Sequence, residues 1–408
     1  MARESILNKL PEGWNYDLLD HFAERCSGHT PSKSFPEYWN GGIKWISLSD
    51  SYRLDKGYVY ETEKEISIEG IKNSSAEIHP AETVLISRDA GVGKSGVMAT
   101  PMAVSQHFIA WKCDNKEKIH SWFLYNWLQL NKDEFERQAV GSTIKTIGLP
   151  YFKKLKIALP PFSEQKKIAQ ILSAWDGAIS VTEKLLANSQ QQKKNLMQQL
   201  LTGKKRLLDE NGVRFSGEWC ICHLSEVAYI VMGASPSSEA YNDIGIGLPL
   251  IQGNADIKFR ISTPRVYTSE VTKECSPGDV LLSVRAPVGS VAISHHKACI
   301  GRGISTIRSK DNVSQKFLYQ WLLWFEPRWG SLSQGSTFES INSDDIKSLK
   351  LSMPDFKEQQ KIAAVLSAAD SEIATLEKKL TCLKDEKKAL MQQLLTGKRR
   401  VVVDADAA

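Results

Sequence analysis

Two stretches of the chain carry apolar or small residues at alternating spacings of four and three, the pattern by which one helix presents a continuous stripe to another. In the second stretch the stripe reads Ile362, Leu366, Ala369, Ile373, Leu376, Leu380, Leu383, Lys387, Leu390 and Leu394, broken only by the lysine. In the first it reads Ile168, Leu172, Trp175, Ile179, Thr182, Leu186, Ser189, Lys193, Leu196 and Leu200, with a polar middle that has to lean on another helix. Pro161 and Pro354 precede the stripes and Gly203 and Gly397 follow them, as expected where helices start and stop. A helix of about 40 residues rises about 60 Å, more than the core of a small domain requires, and reads as a spacer.

The two stretches are copies of each other. Residues 159–207 return at 353–401 with 27 of 49 positions identical and no gap. The segments before each copy echo as well. Val84-Leu85-Ile86-Ser87 matches Val280-Leu281-Leu282-Ser283, Phe123-Leu124-Tyr125 matches Phe317-Leu318-Tyr319, and Gly141-Ser142-Thr143 matches Gly335-Ser336-Thr337. Trp14 and Trp219 open the two copies. The chain is therefore a tandem duplication of a variable head followed by a near-constant helix. A first helix running from head one to head two obliges the second to fold back, so the pair is expected to be antiparallel, with a pseudo-twofold axis. That symmetry is also the symmetry of a DNA duplex.

The heads, 1–158 and 208–352, alternate short strand-like runs such as 82–88 and 278–285 with turns and one aromatic-rich helix each, 120–130 and 315–325. They read as α/β folds whose helix aromatics fill a core. With 408 residues and 42% hydrophobic composition, the chain can bury more than one core. A net charge of +5 permits nucleic-acid binding without demanding it. The seven cysteines (Cys26, Cys113, Cys220, Cys222, Cys275, Cys299 and Cys382) are odd in number and lack a paired CxxC, which points to reduced thiols and away from disulfides or structural zinc. No apolar run is long enough to span a bilayer and the opening residues do not read as a secretory signal, so a soluble cytoplasmic protein with no membrane partner is expected.

Pro161, Glu164, Gln165, Ile168 and Ala169, repeated at Glu358, Gln359, Ile362 and Ala363, form a Pro-x-x-Glu-Gln-x-x-Ile-Ala helix start. With the Leu10-Pro11-x-Gly13-Trp14 opening and the Gln-Gln-Leu-Leu-Thr-Gly-Lys helix ends at 198–204 and 392–398, the layout resembles the specificity subunits of type I restriction-modification systems over essentially the whole chain. The resemblance implies an α+β architecture: two α/β target recognition domains (1–158 and 208–352) joined by a long antiparallel two-helix coiled coil (159–207 and 353–401), with a tail at 402–408. It implies a non-catalytic subunit that reads an interrupted two-part site in double-stranded DNA. Two methylation subunits and, through them, restriction subunits would be its partners. S-adenosylmethionine, ATP and magnesium would be bound by those partners and not by this chain.

Sequence is read by side chains reaching base edges, whereas phosphate contacts set register and affinity. Donors on glycine-containing turns suit both tasks. These are Arg88, Lys94, Gln106, Thr143 and Lys145 in head one, and Arg285, Arg302, Ser336 and Thr337 in head two. Gly91-Val92-Gly93-Lys94-Ser95 lacks the leading glycine of a phosphate loop, having Arg88 in its place. Leu159-Pro160-Pro161-Phe162 lacks the amide side chain of an adenine methyltransferase motif and reads as the turn into a helix. Asp355, Glu358 and Lys361 read as helix capping, and Cys220, Cys222, His223, His295 and His296 match no metal-ligand spacing and read as core thiols and surface histidines. The basic clusters 204–206 and 398–400 fit a helix C-terminus. The alternative from another class is a non-catalytic coiled-coil scaffold that binds proteins.

Overall fold

The computed structural model describes residues 10–114, 117–332 and 340–403. The chain forms two compact units, one of residues 1–183 with 379–408 and one of residues 184–378. Each unit therefore contains one head and a part of each long helix.

Both long helices are 39 residues, Phe162–Leu200 and Phe356–Leu394. Every stripe position is buried or half-buried, while the residues between them are mostly exposed. In unit 1 the opening of the first helix (Ile168, Leu172) shares a core with the end of the second (Leu390, Met391, Leu394, Leu395). In unit 2 the roles reverse, with Leu196, Met197, Leu200 and Leu201 packed among Ile362, Ala363 and Leu366. Both stripe lysines are bonded across the helices. Lys387 Nζ lies 2.6 Å from Asp176 Oδ1 in unit 1, and the repeat-equivalent Lys193 bonds Asp370 in unit 2.

The shared helix-start motif has a structural reason. Gln165 accepts from the His120 N–H (2.9 Å) and donates to the carbonyls of Pro160 (2.9 Å) and Lys118 (3.0 Å), fastening the helix to its head. Gln359 repeats this with the Ser314 N–H and the Pro354 carbonyl. The buried Glu164 receives a two-pronged bond from Arg400 (2.7 and 2.7 Å), and Glu358 receives one from Arg206 (2.7 and 2.6 Å). The last arginine of each basic cluster, Arg206 or Arg400, thus ties the end of one helix to the first turn of the other. Gly203 and Gly397 have φ of +70° and +74° and reverse the chain after each helix. Trp219 and Trp14 pack against them.

Head one holds a five-stranded sheet around Val84–Ser87 and a three-stranded sheet around Trp39–Ile46. Head two holds six- and five-stranded sheets built around Val280–Ser283 and Leu248–Ile251. Val84–Ser87 and Val280–Ser283 are buried at every residue, which explains their unbroken apolar character. The aromatic helices Ser121–Leu130 and Gln315–Phe325 bury Phe123, Leu124, Phe317 and Trp321 in the cores, as their spacing predicts. A strand precedes each long helix: Lys156–Leu159 pairs with Asn15–Leu18, and Lys350–Met353 with Cys220–His223. Leu159-Pro160-Pro161-Phe162 is the passage from that strand into the helix. Cys220 is exposed and Cys222 half-buried, so these two are strand residues and not core thiols, because a two-stranded ribbon leaves one face open to solvent. Asp355 caps its helix by accepting from the Glu358 N–H at 2.9 Å. Among the described residues no helix is long and apolar enough to cross a membrane.

Candidate nucleic-acid interface

In unit 2 the strands Val280–Ser283 and Ile304–Ser309 are antiparallel neighbours, with Ser283 opposite Ile304. Arg285 follows the first strand and Arg302 precedes the second, so the two loops emerge side by side. The Val284 N–H donates to the Gly303 carbonyl at 2.9 Å and ties the loops together one residue from each arginine. Arg285 and Arg302, both exposed, line one cleft of about 570 Å³ with Ser235, Tyr241, Gln252 and Asn254. Among the described residues no acid lines it. Elsewhere in the unit, Arg265 and Arg308 hold Asp256 and Asp279 at 3.0 and 2.7 Å, and Arg260 holds Glu326. Arg285 and Arg302 have no such ion pair among the described residues and share one recess.

Unit 1 builds the same corner from other side chains. The Arg88 N–H donates to the His107 carbonyl (2.9 Å) as Val284 does to Gly303, and Ile147 donates to the Arg88 carbonyl (2.9 Å) as Ile341 does to Val284 (3.0 Å). Asp89 pairs with Thr146 as Arg285 pairs with Ser340. These shared bonds make Asp89 the equivalent of Arg285, and Gln106 the equivalent of Arg302. Thr30, which donates to Gln106 Oε1, stands where Ser235 accepts from the Arg302 N–H at 3.2 Å. Asp89 Oδ2 is 2.8 Å from His107 Nδ1, and its Oδ1 is 3.8 Å from Arg88 Nε.

Of the residues singled out in the sequence, Arg88 and Gln106 fall on this corner of unit 1. Thr143 and Lys145 are exposed on the 140–146 turn that borders it. Lys94 does not join them. It sits in the hairpin between Val84–Ser87 and Ser95–Met98, half-buried, with Nζ 3.3 Å from the Ser51 carbonyl. That hairpin accounts for Gly91-Val92-Gly93-Lys94-Ser95, since a phosphate loop would lead from a strand into a helix. Arg285 and Arg302 meet in the cleft of unit 2, while Ser336 and Thr337 lie outside the described residues. Sequence reading missed Asp89, Ser235, Gln252 and Asn254. Counting from the shared Val-Leu-x-Ser strand would have placed Asp89 opposite Arg285, and the Gly-x-Thr-Pro-Ser run at 28–32, repeated as Gly-x-Ser-Pro-Ser at 233–237, would have placed Ser235 opposite Thr30; Gln252 and Asn254 carry no such signal.

The model of the type I restriction modification DNA specificity domain matches residues 11–189 and 217–384, once over each repeat. A protein of Methanocaldococcus jannaschii named "Putative type I restriction enzyme MjaX specificity subunit" is 36% identical over 301 residues, 70% of this chain and 70% of that protein. The type I restriction enzyme MjaVIII specificity subunit of the same organism is 25% identical across 96% of this chain and 94% of its own. Among solved structures, a chain from a study of complex assembly and conformational transition of the type I R-M system is similar with a TM-score of 0.62 at 25% identity, over 96% of this chain and 100% of that one. The S subunit from M. genitalium shares the fold, with a TM-score of 0.60 at 16% identity over 95% and 97% of the two chains. With the family domain matched in both repeats and a corner that is framed alike and furnished differently in the two heads, the chain belongs to the family of type I restriction-modification DNA specificity proteins.

Proposed function

We propose that this chain is the DNA-reading subunit of a type I restriction-modification complex, in which each head reads one part of an interrupted site and the chain itself performs no chemistry. One observation carries the reading: the same backbone bonds frame a corner in both units, while the side chains at matching places are Asp89 and Gln106 in one and Arg285 and Arg302 in the other. A frame held constant with its polar tips exchanged is what two different half-sites require, because base edges differ in their donors and acceptors while the duplex backbone does not.

In this reading residues 1–158 and 208–352 are the target recognition domains. Residues 159–207 and 353–401 pair as an antiparallel coiled coil that spaces them, and 402–408 is a tail. The stripe residues and the two lysine–aspartate bonds support that pairing. Two methylation subunits dock on the helices and heads, restriction subunits join through them, and S-adenosylmethionine, ATP and magnesium act on those partners. The complex works in the cytoplasm. Single-molecule sequencing of methylated adenine, with a cognate methylation subunit present and this chain added or omitted, tests the proposal. A two-part motif methylated only in the presence of this chain is expected. Methylation that is unchanged without the chain refutes it and returns the scaffold reading.

A further inference from the structure

The two corners differ in charge at places the fold makes equivalent. In unit 2, Arg285 and Arg302 face a recess lined by hydroxyl and amide side chains and, among the described residues, by no acid. In unit 1 an aspartate and a glutamine occupy those two places. A phosphate contact made at these two places in both heads would need positive charge there in both, because every half-site offers the same backbone, and in unit 1 one of the two places is an acid, with Arg88 beside it. A base contact carries no such requirement. Guanine shows two acceptors, O6 and N7, in the major groove, and the planar fork of arginine matches both at once.

On the reading of the chain as a DNA-recognition subunit, we infer that the half-site read by unit 2 contains a guanine that Arg285 and Arg302 select in this cleft. Ser235 supports the arrangement by holding the Arg302 main chain (3.2 Å), which leaves the side chain to the ligand. Arg302 is the specificity-determining residue and Arg285 its neighbour in the same recess.

The test uses the full chain with its methylation subunit, the methylated motif, and duplex binding followed by fluorescence anisotropy across a salt series. In the wild type, 7-deazaguanine, which lacks the N7 acceptor, weakens binding about tenfold at one guanine of one half-site. Arg302→Ala relaxes the motif at that same guanine, leaves the other half-site as specific as before, loses nothing more to 7-deazaguanine there, and keeps the salt slope. Retention of the other half-site reports that the variant is folded and assembled. If Arg302→Ala instead weakens all sequences alike and lowers the salt slope by about one, the arginine contacts phosphate and the inference falls. It falls too if 7-deazaguanine has no effect at any guanine of the wild-type site, a measurement that needs no variant. Absence of any two-part preference in the wild-type complex overturns the DNA-reading function itself, and the inference with it.

Discussion

Arg206→Met removes one side of the clasp that ties the end of the first helix to the start of the second in unit 2. The Glu358 side chain is fully buried and takes two bonds from Arg206, 2.7 and 2.6 Å, and one from the Trp219 indole N–H at 3.1 Å. Removing one partner of a buried ion pair costs about 3 to 5 kcal/mol, because the remaining charge stays out of water. Two features lower that here. Arg206 is 21% exposed, so water screens part of the pair, and Trp219 and the first turn of the helix still stabilise the carboxylate. About 2 to 3 kcal/mol is expected. Replacing both partners, Arg206→Met with Glu358→Leu, leaves no buried charge and is expected to cost under about 1 kcal/mol, the sign of a strong coupling in a double-mutant cycle. Hydrogen exchange resolved by peptide is the assay, because two units need not unfold together. Protection around 199–207 and 350–365 should fall in Arg206→Met and recover in the double variant, while peptides covering 160–170 and 391–400 stay unchanged. A double variant as damaged as the single one would refute the argument that the unpaired buried charge, not lost packing, sets the cost.

Three further outcomes are expected. Lys387→Met leaves Asp176 without its bond and costs about 1 kcal/mol, held to that value by the 39% exposure of Asp176, whereas Lys193→Met costs less because Gln320 still donates to Asp370 at 2.7 Å; chemical denaturation read by local exchange separates the two. Gly203→Ala costs about 1 kcal/mol for its positive φ alone, while Gly397→Ala costs about 2 to 3 kcal/mol because a Cβ there would lie 2.4 Å from the Pro11 ring; melting temperatures of the two variants should rank in that order. Burial holds the His79 imidazole below its ordinary value of 6.5, and both ring nitrogens lack hydrogen-bond partners among the described residues. The unfolded chain therefore takes up that proton first, so stability present above about pH 6.5 is lost as pH falls toward the depressed folded value, at a slope of at most about 1.4 kcal/mol per pH unit. Urea midpoints at pH 7.5 and 5.5 should differ less in His79→Phe than in the wild type.

The helical stripes were legible because their signal is local: every partner-facing position recurs at a fixed spacing, and each one proves buried or half-buried. The bonds that finish the pairing were not. Arg400 and Glu164 are 236 residues apart, and Lys387 and Asp176 are 211 apart. Nothing in the neighbourhood of either residue names its partner. The strands Val84–Ser87 and Val280–Ser283 announced themselves by composition, but the parallel pairings of Trp45 with Ala103 and of Leu250 with Cys299 depend on long excursions of the chain that periodicity does not encode. The cleft was half legible. Arg285 and Arg302 could be chosen as donors on turns, but their meeting in one recess follows from the Val284 to Gly303 bond, and the match of Gln106 to Arg302 follows from its counterpart at Arg88.

The two clasps are made from the same parts, yet the chain reaches them by different routes. In unit 2, Gly203, Arg206 and Trp219 are close in sequence, and Arg206 also donates to the Gly217 carbonyl at 2.9 Å before meeting Glu358. In unit 1, Trp14 packs near Gly397, and Arg400 donates to the Glu12 carbonyl at 2.9 Å, a bond spanning 388 residues. Local closure costs little chain entropy, while the unit 1 clasp gains its contacts only after everything between has folded. Its arginine is also the more open, 43% exposed against 21%. Unit 2 also has the bond from the Trp219 indole to Glu358, whereas Trp14 Nε1 is buried with no partner among the described residues, so the clasp holds unit 1 less firmly than unit 2. Loss of order should begin where the two ends of the chain meet, around Trp14 and Gly397, before it reaches the equivalent turn at Gly203.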